Sequence, residues 1–516
     1  MADAPPDKAV ALLRLATTAT YVDPAVASAA LARADALFAG AQVDREVSAE
    51  FERRKGLVLL NTGDFAGARA KSGGAVKLLG GLTEMTELAE VSARSDTAIA
   101  ALLLGDDDTA RRYMAYTGAG RLPDGTFDPA VQMKAPDCGG EGGLKPNDMA
   151  IIEFSIGDDG TVKMSAPVYA AGGGSVALAF ARAALGWSWT PDQVKKLPTF
   201  FRYNIRLEMR CSTAFERPSI RDILGSALEA WMSGKHIAVP PVEGSDALAL
   251  PRQRAALAAV SAKDGAQALS LLPIYYRLLN NSVLPREQKN AMATNALAIA
   301  DANGVPALPR LAIDMVVRDT ARAEWRGGVY VGEVTELLLQ PLYAADPEAR
   351  SAIRLLVADA ELHSSRSRAR ELFRQVADDP ALVKNDPMRV GALVRIASME
   401  QQDGDAAAAR AALDQSGLAA NQCSIVDSPP RMLRAGGSFP REAQQWGFEG
   451  WTQTQFDVSA DGRVINARAI LSYPPFVFTK AGTETMAGAR YTKSYRPDGG
   501  LGCGASAERV RFKIAH

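Results

Sequence analysis

Three histidines, His236, His363 and His516, are scattered through a chain of 516 residues, the last of them at its end. Their spacing argues against a histidine-rich metal site and against a serine–histidine–aspartate arrangement. No GxSxG, P-loop or dinucleotide fingerprint stands in a strand–turn–helix setting. Gly172-Gly173-Gly174 has no following Lys-Ser/Thr, so it reads as a flexible connection before a helix rather than a phosphate cradle. Asp158, Asp159 and Asp461 are carboxylates with the right chemistry for metal binding or proton transfer. Each sits at a turn position, where aspartate bonds its own backbone, and the turn reading is preferred. Trp187 and Trp189 alternate along a short extended segment and are read as packing residues, with a binding surface as the other use. The four cysteines include no CxxC pair, which argues against zinc. These residues together predict no enzyme, no metal and no cofactor; a hydrolase with a site between domains is the weakest of the alternatives.

The elements that would position any site are more informative. Ile151-Ile-Glu-Phe154-Ser-Ile156-Gly-Asp-Asp159-Gly160-Thr-Val162 has a counterpart about three hundred residues later, Thr452-Gln-Thr-Gln-Phe456-Asp-Val458-Ser-Ala-Asp461-Gly462-Arg-Val464. Each reads as a strand, an Asp-Gly turn and a second strand, with apolar residues alternating to suit a sheet with one buried face. Asp-Gly predicts a two-residue hairpin turn, because glycine accepts positive φ. Helix-forming runs follow, Ala177 to Leu185 and Lys480 to Arg490. Trp187-Ser-Trp189-Thr-Pro191 is matched with Tyr491-Thr-Lys-Ser-Tyr495-Arg-Pro497. Alternating strands close each copy, Phe200-Phe-Arg-Tyr203-Asn-Ile205-Arg-Leu207-Glu-Met209-Arg in the first and Arg509-Val510-Arg511-Phe512-Lys513-Ile514 in the second.

The order Phe439-Pro440, Gly447-Phe448-Glu449-Gly450, strand, Asp-Gly, strand, helix, aromatic-x-Pro, last strand resembles the TonB C-terminal domain family. The likeness covers about 430–516 and, more loosely, 136–212, where Leu144-Lys-Pro146 replaces the aromatic-Pro start and the first helix is short or missing. The resemblance implies docking of a short periplasmic segment of a TonB-dependent outer-membrane receptor beside the last strand. That places a peptide-binding edge at Arg509, Val510, Arg511, Phe512, Lys513 and Ile514. One face of this strand is basic and the other apolar, and the competing explanation is that its charges only keep a free edge from aggregating. The cysteines fall two and two into the copies, so one disulfide each is expected, Cys138–Cys211 closing 73 residues (211 − 138) and Cys423–Cys503 closing 80 (503 − 423). Four unrelated thiols are the alternative.

The rest reads as helical and repetitive. Gly63-Asp64, Gly105-Asp106 and Gly404-Asp405 are each followed by an alanine four residues after the aspartate, in a Gly-Asp-x-x-x-Ala pattern. Glycine ends one helix and aspartate caps the next. The pattern resembles tetratricopeptide repeats, although the first two copies lie 42 residues apart (105 − 63) rather than the usual period of about 34. The fold expected is therefore a multidomain α plus α+β chain. Antiparallel helical-pair (tetratricopeptide-like) arrays at 1–125 and 220–418 alternate with two small TonB-C-terminal-like α+β domains at 130–215 and 422–516.

A net charge of −1, from 58 basic and 59 acidic residues, excludes nucleic acid as the expected partner. No run of 18 apolar residues predicts a membrane span. Met1-Ala-Asp-Ala-Pro-Pro6 lacks a basic n-region and an apolar h-region, so the expectation is a periplasmic protein whose export signal has been removed, with a cytosolic start as the alternative. The function expected is a non-enzymatic periplasmic scaffold that binds peptide segments or receptor parts. A TonB-type energy transducer whose membrane anchor precedes residue 1 is the second reading.

Overall fold

The computed structural model describes residues 5–38, 43–84, 86–122, 129–140, 142–197, 202–214, 218–321, 327–419, 422, 424–425, 431–493 and 504–514. The first helices are α1 (Pro5–Ala19), α2 (Pro24–Phe38), α3 (Arg45–Asn61), α4 (Phe65–Leu78), α5 (Leu88–Leu103) and α6 (Asp107–Ala115). Strands β1 (Ala150–Ile156) and β2 (Val162–Ala170) follow, then α7 (Gly174–Ala184), α8 (Pro191–Lys195) and β3 (Ile205–Met209). A second helical stretch runs through α9 (Ile220–Gly234), α10 (Asp246–Asp264), α11 (Leu272–Asn280), α12 (Arg286–Ala302), α13 (Ala307–Ala321), α14 (Gly327–Glu336), α15 (Pro341–Ala345), α16 (Pro347–Glu361), α17 (Arg366–Ala377), α18 (Pro387–Asp403) and α19 (Ala406–Ser416). The chain ends through β4 (Met432–Arg434), α20 (Arg441–Gln445), β5 (Gly450–Val458), β6 (Val464–Tyr473), α21 (Thr479–Ala487), β7 (Arg490–Tyr491) and β8 (Ser506–Phe512).

The Gly-Asp motifs are the turns of three helical hairpins. Gly63, Gly105 and Gly404 take positive φ at the ends of α3, α5 and α18. Asp64, Asp106 and Asp405 then accept from the backbone N–H of Gly67, Thr109 and Ala408 at 2.8, 3.2 and 2.9 Å, capping α4, α6 and α19. Buried small residues such as Ala68, Ala110 and Ala409 let the paired helices approach closely. The breaks at Val239-Pro240-Pro241, Leu284-Pro285 and Asp379-Pro380 separate helices, as the prolines require.

The two strand signatures repeat in register over most of their length. In the first unit Ala150 pairs with Ala170, a bulge falls between Ile151 and Ile152, and Ile152 pairs with Pro167. In the second Thr452 pairs with Ser472, the bulge falls between Gln453 and Thr454, and Thr454 pairs with Ala469. These positions are displaced by 302 (452 − 150, 472 − 170, 469 − 167); nearer the turn the repeat departs from this, since Ser155 pairs with Met164 but its counterpart Asp457 pairs with Ile465. The isolated bridges Thr161↔Ser188 and Arg463↔Arg490 keep the same displacement. So do the hydrogen bonds Trp189 N to Gly160 O and Tyr491 N to Gly462 O, both 2.9 Å. Tyr491 is thus the counterpart of Trp189, which corrects the match of Trp189-Thr-Pro191 with Tyr495-Arg-Pro497; the latter residues lie outside the described ones.

The turn itself differs from the two-residue expectation. Gly157 N bonds Thr161 O, and Gly160 N bonds Gly157 O, so three residues form the loop and glycine closes it in the left-handed region. Ser459 to Arg463 repeats this geometry. Glycine is doubly required here. A Cβ on Gly160 would lie 1.8 Å from the Trp189 carbonyl oxygen, and one on Gly462 2.1 Å from that of Tyr491.

The two units share one six-stranded antiparallel sheet in the order β2-β1-β3-β6-β5-β8. The last strand of the first unit, β3, pairs with the second strand of the other, β6, through Glu208↔Ser472 and Met209↔Leu471. Because the joining strands are antiparallel while the strand order repeats, the second unit is turned over relative to the first. Helix α7 therefore covers one face, on Ile152 and Phe154, and α21 the other, against Thr452. The face of the first unit that α7 leaves bare is covered by α3 to α5, which bury Ile151, Val168 and Tyr169. Trp451, Leu471 and Tyr473, on the face of the second unit that α21 leaves bare, join a core with Leu122, Ala130 and Met133.

Candidate interaction edge

Strand β8 is the outermost strand of the sheet and pairs with β5 from Gly450↔Phe512 to Phe456↔Ser506. Its alternation has a physical basis on both sides. Phe512 is buried and lies flat on Phe478 at 4.6 Å with a 10° interplanar angle, while Phe439 meets both rings edge-on at 5.9 and 6.0 Å. Val510 packs beside it. Arg509, Arg511 and Lys513 lie on the opposite face, and Arg511 and Lys513 are exposed. The strand's far end is tied by the buried carboxylate of Glu449, which accepts from Ile514 N at 2.9 Å and from Leu122 N at 3.1 Å. Phe439-Pro440 thus leads into α20 and supplies an aromatic wall behind the edge strand.

The corresponding strand of the first unit is occupied. Its outer edge is taken by β6, with Arg210 N donating to Ile470 O at 2.7 Å. The sequence suggested one buried face for β3, but all five of its residues are buried because helices or strands lie on every side. Glu208, only 1% exposed, accepts from Phe476 N at 2.8 Å and Thr479 Oγ1 at 2.7 Å and pairs with Arg210, so a carboxylate of the first unit holds the start of α21 in the second. Arg206 Nε donates to Glu153 Oε2 at 2.8 Å. Its Nη1 lies 2.6 Å from Asp96 Oδ1, close enough for charge attraction but not aligned as a hydrogen bond. Arg53 reaches the other Asp96 oxygen at 3.2 Å. Burial opposes the charge on Glu153, yet Arg206 and Arg53 outweigh it and hold that carboxyl below the ordinary glutamate range. This network joins α3 and α5 to the sheet.

The opposite edge of the sheet, β2, is closed by side chains. Asn61 at the end of α3 donates from Nδ2 to Val168 O at 2.8 Å and accepts from Ala170 N at 3.3 Å, as a neighbouring strand would. Tyr21 Oη donates to Pro167 O at 2.7 Å.

The remaining sequence candidates resolve into structural roles. Cys138 and Cys211 form a disulfide that sets Asp137 beside Ser212 after the end of β3. Arg468 of β6 donates to Cys211 O at 2.7 Å and to Gln455 Oε1 at 2.7 Å, so the second unit braces the bridge of the first. Cys423 and Cys503 lie outside the described residues, as does His516. Trp187 and Trp189 are both buried and donate from Nε1 to Lys134 O and Pro129 O. Asp159 accepts from Thr161 N and Asp461 from Arg463 N, as turn residues do. Gly174 lets the carbonyl of Tyr21 approach to where a Cβ would stand, 1.8 Å away. Among the described residues no three His, Cys, Asp or Glu side chains gather as a metal site, and no helix is long and apolar enough to cross a membrane.

Compared with models of known protein families and with curated proteins, the chain matches none. The duplication rests on strand register and hydrogen bonds.

Proposed function

We propose that this chain is a non-enzymatic interaction scaffold that captures extended segments of other proteins by strand addition at β8. The observation that carries this reading is the position of β8 at the end of a six-stranded sheet, with its apolar side anchored in a phenylalanine cluster. Backbone groups along such an edge bind an extended peptide, and alternate side chains confer specificity. The helical pairs then serve to hold the sheet and present the edge. The disulfide supports an oxidising compartment such as the periplasm. There, the resemblance to TonB C-terminal domains suggests a periplasm-facing segment of an outer-membrane receptor as partner.

Hydrogen exchange read by mass spectrometry, with and without synthetic receptor segments, tests the reading. Protection concentrated in residues 506–514 is the expected result. Protection confined to the helical stretches would move the site there and sink it.

A further inference from the structure

The duplication shows what the edge of a third strand in this unit accepts. Ala150 pairs with Met209 and its counterpart Thr452 with Val510, so β8 follows β3 at a displacement of 301 (510 − 209). Arg511 is then the counterpart of Arg210 (511 − 210), whose N–H reaches out of the first unit to Ile470 O in an antiparallel neighbour. By this register the outward N–H of Arg511 has the same role to fill. Its natural complement would be a strand like β6, and among the described residues the other strand of that kind is β2.

A second copy of the chain is a poor occupant on two grounds. Val168 O is the counterpart of Ile470 O (470 − 168 = 302), but Asn61 has taken the place that Arg210 N holds in the second unit. Tyr21 and the N–H-less Pro167 close the adjoining stretch. Two β8 strands paired antiparallel about a two-fold axis would keep their faces, setting Arg511 against the same basic face of its copy, which is repulsive. The same basic face favours acidic side chains from a foreign strand, while Val510 and Phe512 favour apolar ones on the other side.

Building on the strand-addition reading above, we infer that the β8 edge is a one-sided acceptor for a foreign segment that runs antiparallel to β8 and alternates acidic with apolar residues. An acidic side chain lies beside the exposed Arg511. The apolar ones extend the row of Val510 and Phe512.

Fluorescence anisotropy with the full chain and three labelled peptides tests this: an alternating Glu/Val heptapeptide, its Lys/Val analogue, and a Glu/Val peptide of the same composition with the alternation scrambled. The alternating acidic peptide should bind about threefold tighter than either control, from an opposite-charge pair with Arg511, and weaken with salt. A photo-crosslinker at its N-terminus should mark the Phe512 end of β8, and one at its C-terminus the Ser506 end. Arg511→Glu should reverse the charge preference, and Arg511→Pro, checked for folding by circular dichroism, should abolish binding of every peptide. If Arg511→Pro fails to fold, Arg511→Glu still decides the charge preference and the crosslinks decide the polarity.

Equal binding of the lysine analogue overturns the charge assignment and leaves strand addition standing. Crosslinks in the reverse order overturn the antiparallel polarity. Binding that survives a folded Arg511→Pro, or no binding by any peptide, removes this inference, and the former removes the strand-addition reading with it. Sedimentation that finds a dimer abolished by Arg511→Pro identifies a second copy as the occupant and overturns the proposal.

Discussion

At the scale of single residues, the carboxylate of Glu208 is the joint between the two units. Glu208→Ala leaves Phe476 N and Thr479 Oγ1 without their acceptor and Arg210 without its partner. A loss of about 3 kcal/mol is expected in urea unfolding, with a smaller loss for Glu208→Gln, which keeps an acceptor. Glu153 and Glu50 give the acid limb of stability. Burial disfavours the charge of Glu50 too, and Arg53 and Arg54 again prevail and lower its carboxyl. Carboxyls depressed in the folded state stabilise it above their unfolded value, near about pH 4.3, and that contribution disappears as pH falls through the lower folded values. Melting temperature should therefore fall below that pH, and Glu153→Gln should flatten the fall while lowering stability near neutrality. A pH profile that Glu153→Gln leaves parallel to the original would contradict this. None of these buried charges was legible in the sequence. Arg206, Glu208 and Arg210 alternate with apolar residues and therefore resemble the solvent side of a strand; only the packing of α3, α5 and α21 on that side shows otherwise. The opposite signs two residues apart were the one available hint.

At the scale of elements, the hairpins were the most legible part. A Gly-Asp step states both the end of one helix and the cap of the next, and the turn Asp-Gly of each strand pair fixes where the sheet reverses. The loop length was misjudged because a two-residue and a three-residue turn can both end in Asp-Gly. Only the position of the following carbonyl decides between them. Gly160→Ala and Gly462→Ala should each destabilise by about 2 kcal/mol, from positive φ and a clash with backbone, seen as a lower thermal midpoint. If Gly462→Ala were neutral, the repeated loop geometry would be in error. Asn61→Ala should cost about 2 kcal/mol by stranding Val168 O and Ala170 N, and should raise hydrogen exchange at Ala170 before that of β1. The sequence could not announce Asn61, since an asparagine at a helix end reads equally well as an ordinary terminator.

At the scale of the whole molecule, two units that looked separable from their sequence form one sheet, because a strand edge has no sequence mark of its own. The bridge between Cys138 and Cys211 closes 73 residues and stands against Arg468 of the second unit. Replacing both cysteines by serine should remove about 4 kcal/mol in the chain-entropy account. Loosening should extend to β6 of the second unit, detectable as faster exchange at residues 468–472; exchange altered only in residues 137–212 would mean that the units unfold independently. The junction also has a meaning in time. Glu208 and Ser472 meet across 264 positions (472 − 208), so an interval separates the arrival of β3 from that of β6 wherever the chain folds. Throughout that interval β3 waits with its outer amides bare, a nascent strand without its neighbour. Cells making this protein are therefore expected to hold the growing chain with a chaperone until residues 464–473 arrive.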